Sequence, residues 1–115
     1  MSRQVLVAEH GENSSILGFL IAQQIGPECE LENIVVDPTM QGKGIGTLLL
    51  NELLVRTKQA NSDEVFLEVR ESNKAARGLY QKLGFMETGR RKSYYNNPLE
   101  DAILYHRLME SADRT

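Results

Sequence analysis

At 115 residues the chain can bury one modest hydrophobic core and is too short for two, so residues 1–115 are expected to form a single domain. Hydrophobic residues at 41% and charged residues at 25% are ordinary for a globular protein and argue against a disordered or membrane-spanning chain. A formal net charge of -3 argues against direct, non-specific nucleic-acid binding, although Arg90, Arg91 and Lys92 form a basic cluster that could dock on an acidic partner.

The opening MSRQVLVAEH holds neither a sustained apolar stretch nor a small-residue cleavage site, so a cytoplasmic location with no membrane association is expected. Residues 4–9 and 16–25 are rich in Val, Ile and Leu and flank the turn-forming Gly11-Glu12-Asn13-Ser14-Ser15, which predicts a β-hairpin. A third strand over 30–36 ends at Asp37-Pro38, because proline has no N–H to donate and pushes the preceding residue out of the helical region. The single cysteine, Cys29, has no internal disulfide partner, and His10 and His106 lack ligand spacing, so no metal site is expected.

From about residue 44 the period becomes helical. Ile45, Leu49 and Leu53 recur every four residues, flanked by Leu48 and Leu50, with Asn51, Glu52 and Arg56 opposite. Asn61-Ser62-Asp63 stops this helix, and 64–69 alternates as a fourth strand with Val65, Leu67 and Val69 on one face and Phe66 and Glu68 on the other. A second helix follows, capped by Ser72 or Asn73, with Ala76, Leu79, Tyr80 and Leu83 as its apolar stripe and Gly84 suited to a left-handed end. Residues 85–93 and 102–108 read as two last strands around Asn96-Asn97-Pro98, and 110–115 as a frayed tail. Strands interrupted by two helices imply a mixed α/β (α+β) sheet.

Gln41-Gly42-Lys43-Gly44-Ile45-Gly46 joins the third strand to the first helix. Alternating glycines let backbone amides approach an anion, and the helix N-terminus adds its dipole. Two common phosphate loops are excluded. Thr47-Leu48 replaces the Lys-Ser/Thr pair of a P-loop, and Leu49 stands where the third glycine of a dinucleotide fingerprint would fall. Taken alone, the glycines are also compatible with a plain tight turn.

The context is more specific. Q-x-x-G-x-G after a strand ending in V-V-D-P resembles the pyrophosphate-binding signature of the GNAT acetyltransferases. The run Leu67-Glu68-Val69-Arg70-Glu71-Ser72-Asn73, followed by Ala75-Ala76, Leu79-Tyr80 and Leu83-Gly84-Phe85, resembles the second motif of that superfamily. Over 31–108 the chain resembles the bacterial ribosomal-protein-alanine N-acetyltransferase group. The match is carried by Asn33-Ile34-Val35-Val36-Asp37-Pro38, the 67–73 run, and Gly89-Arg90-Arg91-Lys92-Ser93-Tyr94-Tyr95 with Glu100-Asp101-Ala102.

The resemblance implies a GNAT fold, a mixed and mostly antiparallel sheet with two main helices. It also implies acetyl coenzyme A as cosubstrate without a metal, and as acceptor a protein N-terminus, alanine of a small-subunit ribosomal protein. Family members begin with a further strand and two helices that help wall the acceptor groove, whereas Gln4 here already matches their second strand. The expectation is therefore a fold without those elements, with an open sheet edge that invites a homodimer.

By the same resemblance, Ile34, Val35, Val36, Gln41, Gly42, Lys43, Gly44, Ile45, Gly46, Thr47, Asn73 and Tyr80 contact coenzyme A. The backbone N–H of Val35 or Val36 serves the oxyanion. Glu68 is the expected general base, against the alternative of a solvated strand glutamate. Tyr80 is the expected proton donor to the leaving thiolate, against a core aromatic. Asn73 has a competing role as helix cap. Glu71, Tyr94 and Tyr95 border the acceptor, although paired tyrosines in a hairpin are as often cross-strand packing. Acetylation of small-molecule amines or lysines, and a non-catalytic acyl-coenzyme A binding module, are the alternatives to be separated.

Overall fold

The computed structural model describes residues 2–110, so the frayed tail expected over 110–115 lies, past Glu110, outside the described residues. The expected hairpin is formed by β1 (Ser2–Glu9) and β2 (Ile16–Ile25), paired from Ser2 opposite Gln24 to Glu9 opposite Ile16. β3 (Glu28–Val36) returns antiparallel to β2. It starts two residues earlier than the sequence pattern indicates, because Pro27 offers its carbonyl to Asp63 N–H at 2.7 Å and fixes the strand entry. A 3-10 turn that the sequence pattern does not signal, Pro38–Met40, follows; Asp37 caps it by accepting Thr39 N–H at 2.9 Å and Thr39 Oγ1 at 2.7 Å.

Then come α1 (Ile45–Gln59), β4 (Glu64–Arg70), α2 (Lys74–Lys82), β5 (Met86–Tyr95) and β6 (Glu100–Leu108). The six strands make one mixed sheet in the order β1-β2-β3-β4-β6-β5. Every pairing among the described residues is antiparallel except β3 with β4. Both edges are occupied by exposed strands, β1 and β5. None of the described helices is long and apolar enough to cross a membrane.

The core lies between one sheet face and the helices. α1 buries Leu49, Leu50 and Leu53 against Leu6, Leu20, Ala22 and Leu31, and leaves Leu48 and Val55 exposed. Leu50 and Leu53 are fully buried, each contributing on the order of 2 kcal/mol of apolar transfer. Thr57, buried on the same stripe, returns its hydroxyl to Leu53 O at 2.7 Å and so carries no unmet donor. Val65, Leu67 and Val69 alternate inward as their period demands, with Glu64, Phe66, Glu68 and Arg70 half-buried on the other face.

Of the two candidate caps for α2, Asn73 is the one used, its Oδ1 accepting Ala76 N–H at 3.1 Å. Gly84, at φ +90°, ends the helix in the left-handed conformation, and Arg107 Nε donates to Leu83 O at 2.8 Å. Phe85 packs beside Tyr80, with ring centroids 5.7 Å apart, and lies in the connection rather than in β5.

One feature of the sheet creates the site. β3 and β4 pair only over Glu28–Glu64, Cys29–Val65 and Glu30–Phe66, then separate while each strand continues. Opposite Ile21 and Ala22 the β2–β3 register skips Glu32, a bulge. An extra residue bends a strand and adds twist, which turns the end of β3 away from β4.

Candidate active site

The loop before α1 is shaped by two glycines. Gly42 and Gly44 hold φ of +78° and +85°, where a side chain is strained, and a Cβ at either would meet nothing within 4 Å. Their requirement is conformational, and the space beside them stays open to a ligand. Gly46 differs, because a Cβ there would lie 3.1 Å from Leu79 Cδ2, so this glycine permits close packing of α1 on α2. Gly44 is also the N-cap of α1, which has no side-chain cap and no acidic residue in its first turn. The first intrahelical bond is Leu48 N–H to Gly44 O at 3.0 Å, so the amides ahead of it lack an intrahelical acceptor and favour an anion.

A groove of about 590 Å³ runs between this loop and α2. Ile34, Val36, Gln41, Gly42, Gly44, Ile45, Gly46, Thr47 and Asn73 line it, nine of the residues expected to hold coenzyme A. Met40, Ala75, Ala76, Gly78, Leu79 and Lys82 complete the wall. Spacings of three and four residues from Ala75 to Gly78, Leu79 and Lys82 mark one face of α2, and that spacing is the signal by which they were recognisable. Lys82 supplies the cation of the groove; Lys43, expected there, is exposed outside its wall.

Where β3 and β4 separate lies a polar cleft of about 260 Å³. It shares Ile34, Asn73 and Ala76 with the groove, so the two spaces meet at a common wall. The cleft brings Glu68, Tyr80 and Tyr95 together with Asn33 and Arg70. Tyr80 is 4% exposed and tilted against Tyr105, with ring centroids 6.0 Å apart. Burial, with a smaller contribution from Tyr95, pushes its phenol up to about 12, so it is protonated at any ordinary pH. Tyr95 is also raised, by burial and then by the nearby Glu68, while the Arg70 guanidinium stacks 4.3 Å above its ring.

Glu68 is not a free carboxylate. Arg91 Nε on β5 pairs with its Oε1 at 2.8 Å. The same hairpin spends Arg90 on Glu71 at 2.8 Å and on Asp101 at 2.7 Å. Two of the three cations read as a docking cluster are thus already paired within the chain.

Four expected site residues stand apart from the groove and cleft walls. Glu71 is engaged by Arg90, Tyr94 packs edge-on against Tyr95 with centroids 5.1 Å apart, and Lys43 faces outward. Val35 is the fourth. Asp37 N–H donates to Leu17 O at 2.8 Å, so by alternation Val35 N–H also faces β2, and Val36 N–H turns toward the opening. Of the two amides left open by the sequence, Val36 is the one on the side of the cleft. A third concavity of about 620 Å³, lined by Lys58, His106, Arg107 and Met109 among others, lies away from the glycine loop. Among the described residues no group of three or more His, Cys, Asp or Glu could hold a metal ion.

Left-handed glycines, a helix start without a side-chain cap and an adjoining splayed strand pair thus frame one continuous site. Residues 2–85 match the acetyltransferase (GNAT) family, and the chain belongs to it. Over 87 residues it is 48% identical to the ribosomal protein bS18-alanine N-acetyltransferase of Haemophilus influenzae, covering 76% of this chain and 59% of that protein. The crystal structure of the Escherichia coli ribosomal-protein-S18-alanine N-acetyltransferase superposes with a TM-score of 0.82 at 37% identity, covering 90% of this chain and 68% of that one. A Bacillus anthracis acetyltransferase solved in complex with acetyl coenzyme A superposes with a TM-score of 0.84 at 25% identity, covering 94% and 63%. The chain thus spans about 59% of the length of its Haemophilus relative.

Proposed function

We propose that this chain carries the acetyl-transfer site of an N-acetyltransferase that moves an acetyl group from acetyl coenzyme A to the N-terminal α-amine of a protein, alanine of a small-subunit ribosomal protein. The observation that carries the reading is the junction of the glycine groove with the cleft holding Glu68 and Tyr80. The names of the Haemophilus and Escherichia relatives support the acceptor, and the acetyl coenzyme A bound to the Bacillus neighbour supports the cosubstrate.

The groove offers the cosubstrate open backbone amides, a helix N-terminus and one lysine in its wall. Amides from Gly42 to Thr47 would hold its pyrophosphate, with Lys82 near the phosphates and Asn73 toward the cleft. Bound there, it supplies an activated acyl carbon. Val36 N–H stabilises the oxyanion that forms when the amine attacks. Oε2 of Glu68, directly or through one water, accepts one proton of the incoming ammonium and passes it to solvent. An α-amine at ~7.8 yields that proton more readily than a lysine at ~10.4, a gap of about 2.6 units or roughly 3.5 kcal/mol.

Tyr80 handles the second proton. At about 12 its phenol is a weaker acid than a thiol near ~8.5, so full donation to the departing sulfur is uphill in isolation. Tyr80 therefore relays the proton in step: once the C–N bond has formed, the phenol gives its proton to the sulfur as the C–S bond breaks and takes one from the nitrogen, so no free phenolate is formed. The products are an amide, a free thiol and one proton released to solvent.

The test is thiol release with three acceptors: a peptide copying the ribosomal N-terminus, the same peptide N-blocked with a free lysine, and a small amine. Fastest release with the first, and an acetyl group on its α-amine in mass spectrometry, is the expected result. Release only with the amine or the lysine would overturn the acceptor, and cosubstrate binding without release from any acceptor would leave a non-catalytic binding module. For assembly, the edge strand β1, with Val5 58% and Val7 46% exposed, supports pairing of two copies. Light scattering at micromolar concentration is expected to give a dimer mass, and a monomer mass rejects it.

A further inference from the structure

The ion pair between Arg91 and Glu68 is unequal. Arg91 side chain is 56% exposed and Glu68 22%, so the carboxylate is held by the sheet while the guanidinium reaches it from solvent. Arg91 belongs to the edge strand β5, and its arm crosses β6 to reach β4. In the same position its guanidinium carbon lies 5.7 Å from the centre of the exposed Tyr94 ring, within cation–π range, so Arg91 has a contact that does not depend on Glu68. Glu68 in turn lines the cleft, its Oε1 paired with Arg91.

We propose that Arg91 is a placeholder for the acceptor. Before the acceptor arrives its guanidinium satisfies Glu68, and the positively charged amine of the acceptor then takes the same carboxylate while Arg91 keeps its contact with Tyr94. The inference rests on the reading of Glu68 as base. An ammonium brings the same charge that the guanidinium removes, so the carboxylate is never left uncompensated, and a neutral or anionic ligand cannot make the exchange. Exposed pairs of this kind are weak, which keeps the exchange easy. Arg91 is accordingly a positioning residue: it competes with the acceptor for Glu68 and does not take part in bond making.

Steady-state kinetics with the N-terminal peptide as varied acceptor test this. Arg91→Gln is expected to lower the acceptor KM by about two- to five-fold, the range given by removing an exposed ion pair, with kcat near that of the unaltered chain. Arg91→Lys keeps the charge without the planar fork and is expected to restore most of the original KM. In a Glu68→Gln background, where no carboxylate remains to compete for, Arg91→Gln is expected to leave KM unmoved. An unchanged or raised KM in the single variant, a fall in kcat in step with KM, or the same KM shift in both backgrounds would overturn the placeholder role and leave the pair structural. Absence of transfer by the unaltered chain with every acceptor would instead remove the base assignment beneath it.

Discussion

The groove under residues 41–47 and the cleft between β3 and β4 share a wall but are built from different materials. The groove is a backbone structure: left-handed Gly42 and Gly44, a helix without a side-chain cap, and a close helix contact at Gly46. The cleft is a side-chain structure, assembled by ion pairs that tie β5 and β6 to β4 and to the start of α2. Arg91 meets Glu68, Arg90 bridges Glu71 and Asp101, and Arg70 reaches Asn96 O, Pro98 O and Glu100. A backbone site is rigid and tolerates few substitutions at fixed positions. An ion-paired site can re-form around a ligand, which suits the side that receives a polypeptide.

Altering the two parts should therefore fail differently. The largest effect is expected from the cleft: Tyr80→Phe and Glu68→Gln should each slow turnover by about 100-fold or more while coenzyme A affinity stays within twofold or so, as removal of a proton-transfer group predicts. Turnover and calorimetry on each variant check this, and unaltered turnover in Tyr80→Phe would return that ring to packing alone.

Next is a stability effect with a defined sign. The buried Tyr80 phenol titrates at about 12 against about 10 in the unfolded chain, so the unfolded state loses its proton first as pH rises. Stability present below pH ~10 should then fall between about 10 and 12, by up to roughly 3 kcal/mol, and Tyr80→Phe should abolish that part of the loss. Urea unfolding as a function of pH measures it.

In the groove, Gly44→Val forces a branched side chain into the left-handed region at a cost of about 1–2 kcal/mol and fills the open side of the loop. Melting should register the strain, and coenzyme A affinity should fall by about tenfold or more while the acceptor side is unchanged. The smallest effect is expected at Glu100, whose carboxylate accepts Ser72 N–H and Arg70 and is held below the usual carboxylate range first by Ser72. Glu100→Gln should raise the acceptor KM a few-fold at neutral pH. A larger change in coenzyme A binding than in acceptor KM would show that the hairpin braces the groove instead.

The same division explains what the sequence reveals. Local rules wrote the groove: glycine spacing, a proline stop after Val36 and a helical period from Ile45 predict the loop, the strand end and the helix, and nine expected residues line the space. They also place Glu68 opposite Val65, Leu67 and Val69, and Tyr80 on the inward stripe of α2. The divergence of β3 from β4 has no local mark, because the bulge at Glu32 is visible only in register with β2. Nor does the pairing of Arg91 with Glu68, since a charge on β5 meets β4 only after β6 has been threaded between them. For the same reason the sequence does not show that Glu71 is paired with Arg90, or that Tyr94 packs edge-on against Tyr95. Choosing Val36 over Val35 required a single hydrogen bond, Asp37 to Leu17, which fixes which amides face the neighbouring strand.

Everything proposed for the cleft requires that amides of residues 42–47 grip a diphosphate so that a thioester lies beside Glu68 and Tyr80. Calorimetric titration of coenzyme A into the folded chain, repeated with Gly44→Val, tests it most directly. Saturable one-to-one binding, weakened about tenfold or more by the substitution, is the expected result. Absence of binding to the folded unaltered chain, or equal affinity in the variant, would contradict it.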